Sequence, residues 1–176
     1  MPTPKTWIDR EIPNWFVLQS SLTVPLNFIL NPPFAKVRRV NALSVAHAVQ
    51  TAVPWDTEDF DGDNMFSAAA QTRLTPKTPG WYLGTYGGGF LANGVGTRDY
   101  YPVKNGDITT VKSRAMQHHA GAGATVNLHG IPFIEYFNGT TDYAELYVWQ
   151  GSGGSLGLGS GARERECTLS LMWFAT

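Results

Sequence analysis

The chain has little of several things, and each shortage excludes a class of protein. It has one cysteine, Cys167, so neither an intrachain disulfide framework nor a multi-cysteine zinc site can be built. No run reaches the roughly 18 consecutive apolar residues a membrane-spanning helix requires, so no membrane insertion is expected. The first residues, interrupted by prolines and charges, carry no apolar stretch of signal-peptide length. Charge is sparse at 15 %, and 13 basic residues against 14 acidic leave a formal net charge of -1. There is thus no electrostatic footprint for nucleic acid or anionic lipid.

What is plentiful points the other way. Aromatic residues make up 12 % of the 176, with 19 glycines and 11 prolines, a balance that suits short strands and turns better than helices. From Lys36 onward apolar segments recur at Val37–Val53, Gly80–Leu91, Gly96–Val103, Ile108–Met116, Thr125–Phe137, Asp142–Gln150 and Glu164–Thr176. Asn-Gly pairs at residues 93, 105 and 138 mark turns, because Asn and Gly tolerate the positive backbone angles that tight turns need. About eight evenly spaced strands without a long helix between them predict an all-β antiparallel two-sheet sandwich or jelly roll.

The first 35 residues form a separate segment. Asn14 is a candidate N-cap, and Trp15, Leu18, Leu22, Leu26, Ile29 and Leu30 recur near helical spacing up to Asn31-Pro32-Pro33. Pro25 kinks or divides that helix. Such an amphipathic segment either packs on its own domain or serves as an attachment element.

Two late strands carry apolar residues on both faces, the last one toward its C-terminal end and the other with a break at Glu145. Cys167, Leu169, Leu171 and Trp173 alternate with Thr168, Ser170, Met172 and Phe174, and Ala144, Leu146 and Val148 alternate with Tyr143, Tyr147 and Trp149. A strand with one solvated face alternates apolar with charged residues. Side by side, these two would give one sheet with a core face and an oligomer face, which makes Tyr143, Tyr147, Trp149, Met172 and Phe174 the candidate subunit interface.

Possible chemistry concentrates between Val53 and Leu83, where Asp56, Glu58, Asp59, Asp61 and Asp63 are interspersed with Trp55, Phe60, Met65 and Phe66. Asp59, Asp61 and Asp63 resemble the start of a calcium loop, but Asn64 stands where its glycine belongs and Ala70 where its glutamate belongs. An EF-hand is excluded, and a loose calcium site stays open. The alternative is structural: Trp55, Phe60 and Phe66 pin a long loop, and Asp61 caps or braces it. Gly87-Gly88-Gly89 lacks the Lys-Ser/Thr of a phosphate loop. His118 and His119 point to opposite sides of a strand, and Glu135 and Glu145 are not brought together by periodicity alone. No catalytic residue, cofactor or metal ligand is assigned, and the expectation is a protein that is not an enzyme.

Two resemblances sharpen this reading. Trp55, Phe60-Asp61, Met65-Phe66, Pro79-Gly80-Trp81-Tyr82, Gly96-Thr97-Arg98, Asn105-Gly106 and the run from Asp142 to Gly154 resemble the trimeric jelly roll shared by tumour necrosis factor and the globular head of complement component q. The resemblance implies a two-sheet jelly roll over 36–176 that forms a homotrimer through one sheet. Residues 1–35, with Thr6-Trp7-Ile8-Asp9-Arg10-Glu11-Ile12 and the double proline, look like the leader of many bacteriophage virion proteins, although Arg10 and Pro25 depart from its usual pattern. That resemblance implies attachment to other virion proteins through Trp7, Trp15, Leu18, Leu22, Leu26, Phe28 and Leu30, and assembly in the host cytoplasm. The expected protein is a minor tail or tail-tip component whose head binds host-surface glycan or protein, with Tyr100 and Tyr101 as the candidate receptor contacts. A capsid decoration or head-fibre protein is the alternative, and a glycan-degrading enzyme a more distant one.

Overall fold

The computed structural model describes residues 31–109, 117–128, 132–159 and 166–176. The leader helix and the attachment residues named above lie outside the described residues. One compact unit runs from Pro33 to Thr176. Among the described residues it holds thirteen strands and a single 3-10 turn. The strands are β1 (Phe34–Arg39), β2 (Leu43–Val45), β3 (Thr51–Ala52), β4 (Thr57–Asp61), β5 (Arg73–Leu74), β6 (Gly80–Phe90) and β7 (Asn93–Lys104). They continue with β8 (Gln117–Ala122), β9 (Val126–Leu128), β10 (Phe133–Phe137), β11 (Ala144–Gln150), β12 (Leu156–Leu158) and β13 (Cys167–Ala175).

They form two antiparallel sheets. Sheet one runs β2-β12-β6-β13-β1-β4, with β9 and β10 also pairing with β6. Sheet two runs β3-β11-β7-β8, with β5 also pairing with β11. Strand periodicity explains how they close on each other. Tyr82, Tyr86 and Phe90 of β6 and Cys167, Leu169 and Leu171 of β13 point inward and are at most 1 % exposed. From sheet two, Tyr100 of β7 and Leu146 and Val148 of β11 meet them at 0 %. Tyr82 meets Phe137, and Phe90 meets Tyr100, edge to face with centroids 5.6 and 5.3 Å apart, a favoured arrangement of the ring quadrupoles. Removing such rings from water is the main favourable term for a fold of this size.

One glycine in β6 has a definite packing job. The outer edge of the Phe133 ring occupies the place where a Cβ at Gly84 would stand, so the long strand keeps its pairing with β10 while an aromatic ring fills the missing side chain. Cys167, fully buried, packs against Gly88 in the same way, and burial pushes its thiol up to about 12. It is a core thiol and not a nucleophile.

Candidate functional site: the outer faces of the two sheets

The acidic stretch is spent on backbone. Asp61 Oδ1 accepts the amides of Asp63 (3.2 Å) and Met65 (2.9 Å), and its Oδ2 accepts that of Phe66 (2.8 Å). Asp63 accepts the amides of Lys77 and Thr78 at 3.0 and 3.1 Å and the Thr78 hydroxyl at 3.2 Å. Asp56 accepts the amides of Val40 and Asn41. Partial burial pushes its carboxyl up, but these bonds with those from the Asn41 and Thr57 side chains outweigh it and hold the pKa below the usual value. Asp59 pairs with Lys36 and Arg38. Among the described residues no group of three or more His, Cys, Asp or Glu side chains could hold a metal. Trp55 is fully buried, with Nε1 donating to the Thr72 carbonyl, so the loop is pinned as that residue pattern suggested. Phe60 is a correction: it is 52 % exposed, because Thr57–Asp61 is an edge strand and Phe60 lies on its outer side.

Other candidates also separate. Glu135 lies on sheet one beside Lys104, while Glu145 lies on sheet two, 3 % exposed, accepting from the Thr72 hydroxyl at 2.6 Å. They share no cleft. His118 faces Asp99 across β7 and β8, with Nδ1 and Oδ1 2.5 Å apart, and His47 Nδ1 accepts the Gly153 amide at 3.0 Å.

Tyr100 and Tyr101 do not contact a receptor: both are 0 % exposed. They are consecutive in a central strand, so one side chain turns into the sandwich and the other to the opposite face. There Tyr101 stacks with Tyr147 at 6.1 Å between centroids and 21° between planes. Burial together with Asp99 and Tyr147 pushes the Tyr101 phenol up to about 12.

The candidate trimer residues fall into two groups. Tyr147 and Trp149 are on β11, in sheet two, with Tyr143 just before it, whereas Met172 and Phe174 are on β13, in sheet one. The expected single sheet carrying both strands does not exist, because β13 pairs with β6 and β1 while β11 pairs with β7, β3 and β5. The two groups point away from each other and cannot contribute to one flat surface.

On sheet one the outer side chains come into register as a row across four strands. Ile134 of β10 stands opposite Leu83 of β6, Leu83 opposite Met172 of β13, and Met172 opposite Phe34 of β1. Trp81 stands opposite Tyr136, with the rings edge to face at 5.7 Å. At the far side Phe34 stacks on Phe60 at 5.3 Å. Ile134, Phe174, Trp81 and Met172 are 58, 48, 43 and 39 % exposed. A monomer seldom presents large apolar side chains contiguously, and such patches mark contact surfaces. The other pole of the face is polar and internally matched. Thr85 and Ser170 share a hydrogen bond of 2.7 Å, and Arg38 lies between Glu166 and Asp59, both of which raise its pKa. Exposed apolar residues on neighbouring strands were each visible in the sequence; their alignment needed the pairing.

Two antiparallel sheets connected in this way define an all-β jelly roll of the tumour-necrosis-factor type. No family model matches the chain, and no curated protein sequence matches it. Among solved structures it is similar to murine APRIL at pH 5.0, with a TM-score of 0.54 and 11 % identity over 80 % of this chain and 99 % of that one. It is equally similar to Eiger TNF from S. frugiperda, with a TM-score of 0.54 and 13 % identity over 82 % of this chain and 95 % of that one. At such identities the likeness is one of fold.

Proposed function

We propose that this chain is a non-enzymatic structural protein of a bacteriophage particle, acting as a homotrimer whose jelly roll is displayed from an N-terminal attachment segment. The observation that carries the oligomer is the apolar row Phe34, Met172, Leu83 and Ile134, in which Met172 and Ile134 are exposed and Phe34 and Leu83 half-buried, next to exposed Trp81 and Phe174. A second and third copy of the chain are its occupants, as the resemblance to trimeric jelly rolls implies. Covering such side chains contributes about 25 cal/mol for each Å² of apolar surface removed from water. The virion assignment is supported by the leader, whose Thr6-Trp7 start and Pro32-Pro33 end resemble phage attachment segments. A minor tail position is the preferred one, and the linked copies would strengthen weak contacts with a host-surface glycan or protein through avidity.

Light scattering on the full chain tests the oligomer: the expected mass is that of three copies, and a monomer overturns it. Immunogold labelling of phage particles carrying the protein tests the location. Label at the tail supports the preferred position, label on the shell makes it a decoration protein, and unlabelled particles refute the virion role.

A further inference from the structure

The three Asn-Gly pairs are chemically alike and structurally unequal. A glycine after asparagine leaves its amide nitrogen unhindered, so that nitrogen can attack the asparagine Cγ, the reaction that makes asparagine a heat-labile residue. At Asn138 the side chain is held at both ends. Oδ1 accepts the amides of Thr140, Thr141 and Asp142 at 3.0, 2.9 and 3.0 Å, and Nδ2 donates to the Thr141 hydroxyl at 2.8 Å. Asn105 is also held at both: Nδ2 donates to Asp142 at 2.7 Å and Oδ1 accepts the Tyr143 amide at 2.9 Å. Asn93 has a single side-chain bond among the described residues, accepting the Val95 amide at 2.8 Å. Gly94 after it is exposed, with no atom within 4 Å of where a Cβ would stand. The pairing of β7 with β8 shifts register between Asn93 and Thr97, so the backbone there is already irregular.

A second feature points to the same bond. Arg98 is 0 % exposed, and no carboxylate pairs with it among the described residues. Its Nη1 donates to the carbonyls of Val95 (3.0 Å) and Thr97 (2.8 Å), its Nη2 donates to the carbonyl of Asn93 (3.0 Å), and its Nε has no hydrogen-bond partner among the described residues. A buried guanidinium without a counter-charge is costly. One of its three acceptors, the Asn93 carbonyl, belongs to the Asn93-Gly94 peptide itself.

We propose that Asn93-Gly94 is a self-modification site that converts to isoaspartate, and that the buried Arg98 guanidinium receives the carboxylate the conversion releases. Gly94 N bonds to Asn93 Cγ and the side-chain nitrogen leaves as ammonia, giving a succinimide. Water then opens the ring at either carbonyl. Opening at the main-chain carbonyl leaves the chain running through Cγ, with one extra methylene, and frees the former Asn93 carbonyl as a carboxylate. That group is the acceptor of Arg98 Nη2, so a guanidinium bonded to a neutral carbonyl becomes a guanidinium–carboxylate ion pair. Opening at Cγ gives ordinary aspartate, whose carboxylate sits on the side chain and away from that contact. The structure therefore favours the isoaspartate product and confines the reaction to one pair of three.

The test is to incubate the full chain in warm, mildly alkaline buffer, folded and in urea, and to map peptides by mass spectrometry with fragmentation that separates isoaspartate from aspartate. In the folded chain, conversion at Asn93 should run about tenfold faster than at Asn105 and Asn138, the factor that one or two further hydrogen bonds to break would impose. In urea the three should convert at similar rates. The isoaspartate share at residue 93 should be higher folded than in urea. Equal rates at the three pairs in the folded chain, or the same product ratio at residue 93 folded and unfolded, overturns the proposal.

Discussion

The outer faces of the two sheets look alike as sequence and differ as surfaces. Each strand that carries them, β11 and β13, alternates core residues with outward ones that are large over part of its length, Tyr147 and Trp149 on β11 and Met172 and Phe174 on β13. On sheet two the outward residues are tied down within the sheet. Tyr147 covers Tyr101, the Arg73 guanidinium lies 3.9 Å above the centre of the Tyr143 ring, and Glu145 and Asp99 are held by Thr72 and His118. On sheet one the row from Ile134 to Phe34 consists of apolar side chains, and the polar pairs of that face begin only in the next row, at Thr85 and Ser170. The lesson is that an outward aromatic marks an interface only when its own sheet leaves it unused.

That contrast can be broken experimentally, and the largest effect belongs to sheet one. Leu83→Glu puts a charge in the middle of the apolar row, where burial without a partner is prohibitive. The self-associated species should disappear in light scattering while the far-ultraviolet circular dichroism of the β-sandwich persists. The wild-type assembly should also survive high salt, since no ionisable group lies in the row. Tyr147→Ala on sheet two should do the reverse. It should keep the mass of the assembly but lower stability to urea by about 1–3 kcal/mol, because it uncovers Tyr101 and removes the ring stack. Loss of the assembly with this variant would reassign the interface to sheet two.

The smallest effect concerns the turn between β10 and β11. Partial burial raises the Asp142 carboxyl pKa, but bonds from Asn105, Lys104 and the Asn138 amide outweigh it and hold it below its usual 3.8. A depressed carboxyl contributes stability that is present above the unfolded-state pKa and is lost as pH falls through the folded one. Asp142→Asn should therefore cost under about 1 kcal/mol at neutral pH, and the difference from wild type should begin to shrink near pH ~4 and vanish only once the pH is below the depressed folded-state pKa. Urea titrations at both pH values measure it. A deficit that persists in acid would mean that packing, not charge, makes the contribution.

Much of this was legible from periodicity. The segments read as strands at Gly80–Leu91, Gly96–Val103, Asp142–Gln150 and Glu164–Thr176 match β6, β7, β11 and β13, because each alternates apolar residues over enough length to show a period of two. The Thr57–Asp61 strand was hidden because an edge strand can carry charges, and Glu58 and Asp59 make it read as a loop. The Leu156–Leu158 strand is three residues inside a glycine-rich stretch, too short for any period. Thr125–Phe137 looked like one strand and holds two, β9 and β10, which pair with different parts of β6. The interface failed for a deeper reason. Which sheet a strand joins depends on partners far along the chain, and nothing local in Tyr147 or Met172 records it. Tyr100-Tyr101 illustrates the same limit, since adjacent aromatics in a central strand are hidden on opposite faces.

The pairing of Phe34 with Met172, together with the Trp173 amide bonded to the Pro33 carbonyl at 2.8 Å, brings the start of the β unit beside its end. Phe90 and Asn93 lie at the opposite pole, since β6 runs there from Trp81, the partner of Ala175. The β unit thus carries both its ends at one pole. A fluorescent tag fused after Thr176 would sit at that pole, while a short epitope inserted at Gly153, in the loop that follows β11, would sit at the other. Comparing antibody access to the two on an intact assembly would read out the direction in which the head points.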